Sequence, residues 1–253
     1  TLNKNFNNMI DRLKNQQEKL IINERHEAWG SLARKLAHEI KNPLTPIQLT
    51  IDRLKNKYST QIDADSSEKF KENLKIINNQ IKQIEKLVNE FSDFARMPKP
   101  ILRNNDLVYL IDQNINLLSE LDKSINVVFK KNVDKSFLEC DKEQLSRVFL
   151  NLIKNSIESI QQRSQKDSNF NKNITIELDE NNIQIIVTIS DNGIGFGAFN
   201  KNVKDVLNPY ITTKKNGTGL GLSIVNKIIS DHNGKIELMP INDGAKIQVI
   251  FVK

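Results

Sequence analysis

The 253-residue sequence predicts an α+β chain in two parts: a helical hairpin that closes into a four-helix bundle with a second copy, then a mixed sheet covered by helices on one face. Three observations carry that expectation. Up to Phe91, apolar residues recur at helical three-and-four spacing along two long stretches. After Pro100, helical stretches alternate with β-rich ones such as Ile125-Asn126-Val127-Val128-Phe129. Finally, only nine glycines exist, and six of them (Gly193, Gly195, Gly197, Gly217, Gly219, Gly221) crowd into one 29-residue stretch, which therefore needs unusual backbone.

Taken in order, Phe6, Ile10, Leu13 and Leu20 keep helical spacing, broken by Gln17, over a polar background that suits a solvated coiled coil across residues 1–27. Residues 28–96 form the hairpin. Its first stripe is Leu32, Leu36, Ile40, Leu44, Ile47, Ile51, Leu54 and Tyr58, about 40 Å long at the helical rise. Ser59 to Ser67 is polar and reads as a turn. The second stripe is Phe70, Leu74, Ile77, Ile81, Ile84, Val88 and Phe91, and Met97-Pro98-Lys99-Pro100 ends it in a stiff linker over 97–100. Two helices alone cannot bury two such stripes, so a homodimer is expected.

Residues 101–253 make the second domain, with helices near 106–121, 141–162 and 219–232 and strands near 125–131, 173–179, 183–190, 235–239 and 246–252. Asp141 suits an N-cap, and Gly234 stands where a C-terminal glycine belongs. The pair 174–179 and 183–190 reads as a hairpin inside a mixed sheet.

Composition removes several classes of function. The chain is 38% hydrophobic and 27% charged, with a mean hydropathy of −0.47, and no apolar run approaches a membrane span. Thr1 to Asn8 show neither an initiator Met nor a signal-peptide pattern, which suits a piece of a longer protein. A single cysteine, Cys140, excludes an internal disulfide framework and a Cys-rich zinc site and reads as a packed side chain. The net charge of +6 is scattered among acids, with no Lys/Arg block and one Trp, so nucleic acid is not expected as a partner.

The chemistry begins at His38, in His38-Glu39-Ile40-Lys41-Asn42-Pro43. Two residues from Leu36 and two from Ile40, its imidazole lies roughly 200° around the helix from the apolar stripe and faces outward. His26 has no such neighbours, and His232, at a helix end beside Asn233-Gly234, reads as a structural or charge-bearing residue. Glu39 can hold one ring N–H and leave the other nitrogen's lone pair for attack. Asn42 lies four residues on, on the same face, where an amide can orient a water. Pro43 leaves the Glu39 carbonyl without its helical donor and favours a local bend. Further on, Asp191-Asn192-Gly193-Ile194-Gly195 follows a strand and offers an unpaired acceptor in Asp191. Gly217-Thr218-Gly219-Leu220-Gly221 opens a helix whose N–H groups suit phosphates. Asn151 and Asn155 put two amides on one helix face, and Thr212-Thr213-Lys214-Lys215 brings cations into a lid.

In this order the motifs resemble those of a sensor histidine kinase over nearly the whole chain. His38 to Pro43 is similar to the phosphoacceptor box, Asn151 to Asn155 to the N box, Asp191 to Gly195 to the G1 box, Asn208-Pro209-Tyr210 to the F box and Gly217 to Gly221 to the G2 box. The runs Ala28-Trp29-Gly30 and Leu44-Thr45-Pro46-Ile47-Gln48-Leu49, followed by Asp52-Arg53-Leu54, resemble the NtrY branch of nitrogen-regulation kinases with membrane-bound sensors. The resemblance implies a dimerisation and phosphotransfer bundle followed by an α/β sandwich of the GHKL type that binds ATP and Mg2+. It implies His38 as phosphoacceptor, Glu39 as base and Asn42 in dephosphorylation of the partner. Asp191 would bind the adenine amino group, Asn155 the Mg2+ and Lys214 the phosphates. Asn151, Gly193, Gly195, Tyr210, Thr213, Gly217, Thr218, Gly219, Leu220 and Gly221 would line the nucleotide.

The implied partners are a second copy and the receiver domain of an NtrX-like response regulator, with the membrane reached only through upstream segments of a full protein in the cell membrane. The sequence departs from the family pattern at Gly197-Ala198, where proline is common, at Asn208, usually acidic, and at Lys201 and Lys204, usually arginine. Two other readings compete. A GHKL-type ATPase needs a water-activating Glu at the first N-box position, which here is Asn151. A dimeric adaptor with a degenerate nucleotide site would lack ligand types that this sequence retains.

Overall fold

The computed structural model describes residues 35–58, 64–95, 97–120, 122–167, 170–196, 203–214, 217–241 and 243–253. The expected coiled coil, His26, Ala28 to Leu32, Ser59 to Asp63, Gly197 to Lys201 and Lys215 lie outside them. The chain divides into two compact units, one ending at Met97 and one beginning at Pro98.

The first unit holds helices α1 (residues 35–58) and α2 (Ala64–Ala95). The turn expected to reach Ser67 is shorter than that: Ala64 to Ser67 are already helical, since Asp, Ser and Glu side chains favour a helix's first turn. Leu44 and Ile51 of α1 pack with Leu74 and Ile81 of α2, and Phe70 lies against them. Residues seven apart (Ala37, Leu44, Ile51; Leu74, Ile81, Val88) are buried, the spacing of a narrow coiled-coil seam. Leu36, Ile40, Ile47, Leu54, Ile77 and Ile84 remain 38–46% exposed. Each forgoes much of the ~1.5–3 kcal/mol that full burial of such a side chain is worth, so one hairpin leaves a row of apolar side chains partly uncovered. Gln48 Nε2 donates to Asn78 Oδ1 at 2.6 Å across the seam. Helix α1 continues through Pro43 and Pro46.

In the second unit, a two-stranded antiparallel sheet pairs β1 (Arg103–Asp106) with β3 (Phe137–Cys140), neither of them expected from the sequence. A five-stranded sheet contains β2 (Asn126–Lys131), β4 (Asn173–Glu180), β5 (Gln184–Asp191), β6 (Lys235–Pro240) and β7 (Ala245–Val252), in the order β2-β4-β5-β7-β6. Only β2 and β4 run parallel, so the sheet is mixed. Helices α3 (Leu107–Ser119), α4 (Lys142–Ser164) and α5 (Gly221–Asp231) contact it. Ile174, Ile176, Leu178, Ile185, Val187, Val249 and Phe251 are fully buried, as are Leu145, Leu152 and Ile153 of α4. The alternate β positions include Thr175, Glu177, Ser190 and Gln248, which are only partly buried, as a half-solvated sheet requires.

The helix ends are set by local chemistry. Asp141 caps α4 through Oδ1, which accepts from Glu143 N and Gln144 N at 3.0 and 3.1 Å. Its Oδ2 accepts from Ile101 N at 2.9 Å and so ties down the chain just after the linker. Its own N–H donates to His232 Nε2 at 3.0 Å, while His232 Nδ1 lies 2.7 Å from the Ile228 carbonyl. Buried His232 is therefore structural. At the end of α5 the left-handed residue is Asn233, with φ of 56°, and not Gly234. Asn tolerates that region, and Gly234 N–H closes the turn on Ile229 O at 2.8 Å.

Cys140 closes β3 with no exposed surface, and burial pushes its thiol up to about 11, with an Asn105 hydrogen bond working against the shift. At pH 8 the thiol is protonated and shielded, so a thiol reagent such as DTNB is expected to label native protein slowly and urea-unfolded protein at once. Fast stoichiometric labelling of the native state would contradict this packing.

Candidate functional site

On α1, Ala37 is buried and the next residue, His38, is exposed, as are Glu39 and Asn42. The helix thus anchors itself one position before the imidazole and presents that imidazole to solvent. Pro43 supplies no N–H, so the Glu39 carbonyl lacks its helical partner within this turn.

In the second unit the remaining sequence-predicted residues converge from three directions. Helix α4 brings Asn151 and Asn155, both half-buried, and Asn151 Nδ2 donates to Arg147 O at 2.8 Å. The end of β5 brings Asp191. The loop and first turn of α5 bring Gly217, Thr218, Gly219, Leu220 and Gly221. A Cβ on Gly221 would lie 3.4 Å from Asn151 Oδ1 and 4.0 Å from Asn155 Nδ2, which measures how closely the start of α5 approaches both amides. No side chain caps that helix: Leu220 occupies the cap position, and Thr218 Oγ1 accepts from Leu220 N at 3.3 Å. The first-turn N–H groups and the positive end of the dipole consequently face the two amides.

The backbone before α5 is as unusual as the glycine count implied. Tyr210 has φ of 67° and Gly219 φ of 70°, and Tyr210 N–H donates to Gly219 O at 3.1 Å. A Cβ on Gly219 would sit 2.5 Å from the Tyr210 backbone, so only glycine lets the two segments meet. Tyr210 and Thr213 themselves are exposed. Gly217 N–H donates to Lys214 O at 3.1 Å and Lys214 N–H to Thr212 Oγ1 at 3.1 Å, which folds this part of the lid back on itself.

Asp191 corrects one expectation. It is not an unpaired acceptor: its Oδ1 accepts from Gly193 N at 2.9 Å and from Ser159 Oγ at 3.3 Å, and only 7% of the residue is exposed. Burial pushes its carboxyl above the usual carboxylate range, while the Gly193 N–H and the hydroxyls of Ser156 and Ser159 oppose the rise. Gly195, with φ of 64°, and Gly244, with φ of 100°, pack together beside it. A Cβ on Gly244 would fall 1.8 Å from Asp191 O, so Gly244 belongs to this site although no motif in the sequence marks it.

Two further side chains also escaped sequence reasoning. Glu158 and Asn155 both hold the Lys214 ammonium, Asn155 Oδ1 at 2.9 Å from Nζ and Glu158 through an ion pair. Glu158 lies one turn beyond Asn155 on the same face of α4, a spacing that could have drawn attention to it. Arg163 donates to Asn192 O at 2.7 Å, pairs with Asp243 and covers the Phe170 ring, bracing the turn that follows Asp191. Among the described residues no cluster of three or more His, Cys, Asp or Glu side chains could hold a metal ion.

Residues 140–253 match the family "Histidine kinase-, DNA gyrase B-, and HSP90-like ATPase", and residues 28–100 match "His Kinase A (phospho-acceptor) domain". An NtrY-like sensor histidine kinase of Rickettsia prowazekii is 38% identical over 252 residues, covering 99% of this chain and 40% of that protein. Nitrogen regulation protein NtrY of Azorhizobium caulinodans is 38% identical over 226 residues, covering 89% of this chain and 28% of that protein. The crystal structure of histidine kinase ThkA in complex with response regulator protein TrrA matches with a TM-score of 0.64 and 25% identity, over 96% of this chain and 67% of that one. The chain spans about two fifths of the length of the Rickettsia relative. Among the described residues no helix is long and apolar enough to cross a membrane.

Proposed function

Because the chain belongs to the sensor histidine kinases, on their NtrY-like branch, we propose that it is a kinase core that phosphorylates His38 from ATP and passes the phosphoryl group to an aspartate of a response-regulator receiver domain. The observation that carries the nucleotide half is the convergence of the uncapped α5 N-terminus, the Asn151 and Asn155 amides and the Lys214 ammonium beside buried Asp191. Backbone N–H groups, a dipole end and a cation are what a polyphosphate requires, and a carboxylate suits an adenine amino group.

In the transfer, the unprotonated imidazole nitrogen of exposed His38 attacks the γ-phosphorus as the bond to the β-bridging oxygen breaks and ADP leaves. Glu39, beside it, holds the opposite ring N–H or takes its proton. Lys214 and the α5 N–H groups offset charge on the phosphates. The donor set at Asn155 fits a cation, since it already holds one in Lys214, and Asn155 would bind Mg2+ through Oδ1. Held there, the metal would supply positive charge that offsets part of the charge on the phosphates. Asn42, on the His38 face, would orient water during dephosphorylation of the regulator. Asn151 has no carboxylate with which to deprotonate water, so the γ-phosphoryl is kept for His38.

The exposed row Leu36, Ile40, Ile47, Leu54, Ile77 and Ile84 is the surface through which two copies form a four-helix bundle. In the full protein, an NtrX-like regulator is the partner and upstream segments anchor a sensor in the cell membrane. Incubation with γ-labelled ATP and Mg2+ is expected to give protein label that survives base and is lost in acid, and that moves to a receiver domain on mixing. Acid-stable label would indicate a hydroxyl acceptor and overturn the proposal.

A further inference from the structure

The Lys214 ammonium is held on the oxygens of two side chains on one face of α4, Asn155 Oδ1 at 2.9 Å and a Glu158 carboxylate oxygen. The proposed function asks Lys214 to meet phosphates and Asn155 to meet a divalent cation, and neither role uses Glu158. Glu158 is nonetheless the only one of the three with a negative charge, and its side chain and that of Lys214 are 36% and 30% exposed. An ion pair that accessible is weak enough to exchange, yet it withholds the lysine for part of the time.

We infer that Glu158 is a positioning residue that makes nucleotide binding depend on the metal, by keeping Lys214 on Asn155 until a divalent cation arrives with the phosphates. A divalent cation and the Lys214 ammonium compete for Asn155 Oδ1, because two cations cannot share one carbonyl oxygen without strong repulsion. With Asn155 Oδ1 given over to a metal, the Lys214 ammonium would be left to the phosphates. Without metal, the polyphosphate must itself draw Lys214 away from Glu158. This inference rests on the nucleotide reading of the site, and it adds to that reading a role for a carboxylate outside the family-like motifs.

The test measures the dissociation constant of ATP by calorimetry, once in Mg2+ and once in EDTA, for the unmodified chain, Glu158→Gln, Lys214→Met and the double variant. Glu158→Gln keeps the shape but not the charge. It is expected to tighten metal-free ATP binding about fivefold, the scale of an exposed ion pair, and to change binding in Mg2+ less than twofold, so that the metal dependence shrinks. In the Lys214→Met background the same substitution should change metal-free binding less than twofold, because the lysine it releases is gone. An equal tightening in both backgrounds would reduce Glu158 to a simple repulsive charge and overturn the inference. So would an unchanged ratio between the two conditions. If the unmodified chain bound no ATP in either condition, the nucleotide reading itself would fall, and the inference with it.

Discussion

His38→Gln is expected to bring autophosphorylation down to background while ATP affinity stays within about twofold of the unmodified chain. The amide nitrogen of glutamine has its lone pair delocalised into the carbonyl and cannot attack phosphorus, so the loss is one of chemistry and not of degree. The substitution touches no core: His38 is exposed, and the buried residue of that turn is its neighbour Ala37. Stability should move by no more than ~0.5 kcal/mol, and circular dichroism of the variant should superimpose on that of the parent. Residual label at the original level would transfer the acceptor role elsewhere. His232 could not take it, because its Nε2 accepts from Asp141 N and its Nδ1 engages Ile228 O inside the core. His26 would then be the remaining histidine.

How much of this could be read from the residues depended on the range over which the causes act. The hairpin helices were legible because 3.6-residue periodicity is a local property, and the heptad row of Leu44 and Ile51 against Leu74 and Ile81 lies within the stripes. Which part of a stripe meets the partner helix was not legible. Leu36 and Ala37 are adjacent, and only packing shows that the small residue turns inward while the leucine stays outside. Strands β4, β5 and β7 announced themselves through β-branched alternation. Strand β1 did not, since Arg103-Asn104-Asn105-Asp106 is polar throughout and takes its conformation from pairing with residues 137–140.

The site divides in the same way. Asn151 with Asn155, Asp191 and the clustered glycines are local patterns with a local chemical meaning. Glu158, Arg163 and Gly244 become meaningful only when the fold brings Lys214, Asn192 and Asp191 beside them, 56, 29 and 53 residues away. A lone carboxylate on a polar helix, or a glycine in an Asn-Asp-Gly turn, looks like solvated surface until its long-range partner is known. From sequence alone Asp191 looks like an unpaired acceptor for a related reason. The donors that occupy its Oδ1 belong to the next turn and to a helix more than thirty residues earlier.

Asp191→Asn is expected to weaken ATP binding about 10- to 100-fold and yet to raise the melting temperature of the protein without nucleotide. With Oδ1 engaged by the Gly193 N–H, an asparagine amide keeps its carbonyl there and turns an NH2 group toward the base. A donor then faces the donor amino group of adenine, at a cost of ~1–3 kcal/mol, and the preference for ATP over GTP should largely vanish. The gain in stability has the opposite origin. Burial raises the carboxyl of Asp191 above its ordinary value near 3.8 in the folded state, so the folded protein holds that proton more tightly than the unfolded chain does. As pH rises from about 3.8 through the raised value, the unfolded chain gives up its proton first, and this residue's contribution to stability falls. At neutral pH the ionised side chain therefore costs stability, and asparagine, uncharged at every pH, removes the cost. Each 1 kcal/mol recovered is worth about 2–4 °C in a chain of this size. The advantage of the variant should shrink on acidification and disappear below the ordinary carboxylate range, where aspartate is protonated in both states. A variant that binds ATP as tightly as the parent would sink the adenine role, whereas one that melts lower than the parent at pH 7, by a margin that shrinks on acidification, would show that the Gly193 and Ser159 hydrogen bonds outweigh desolvation.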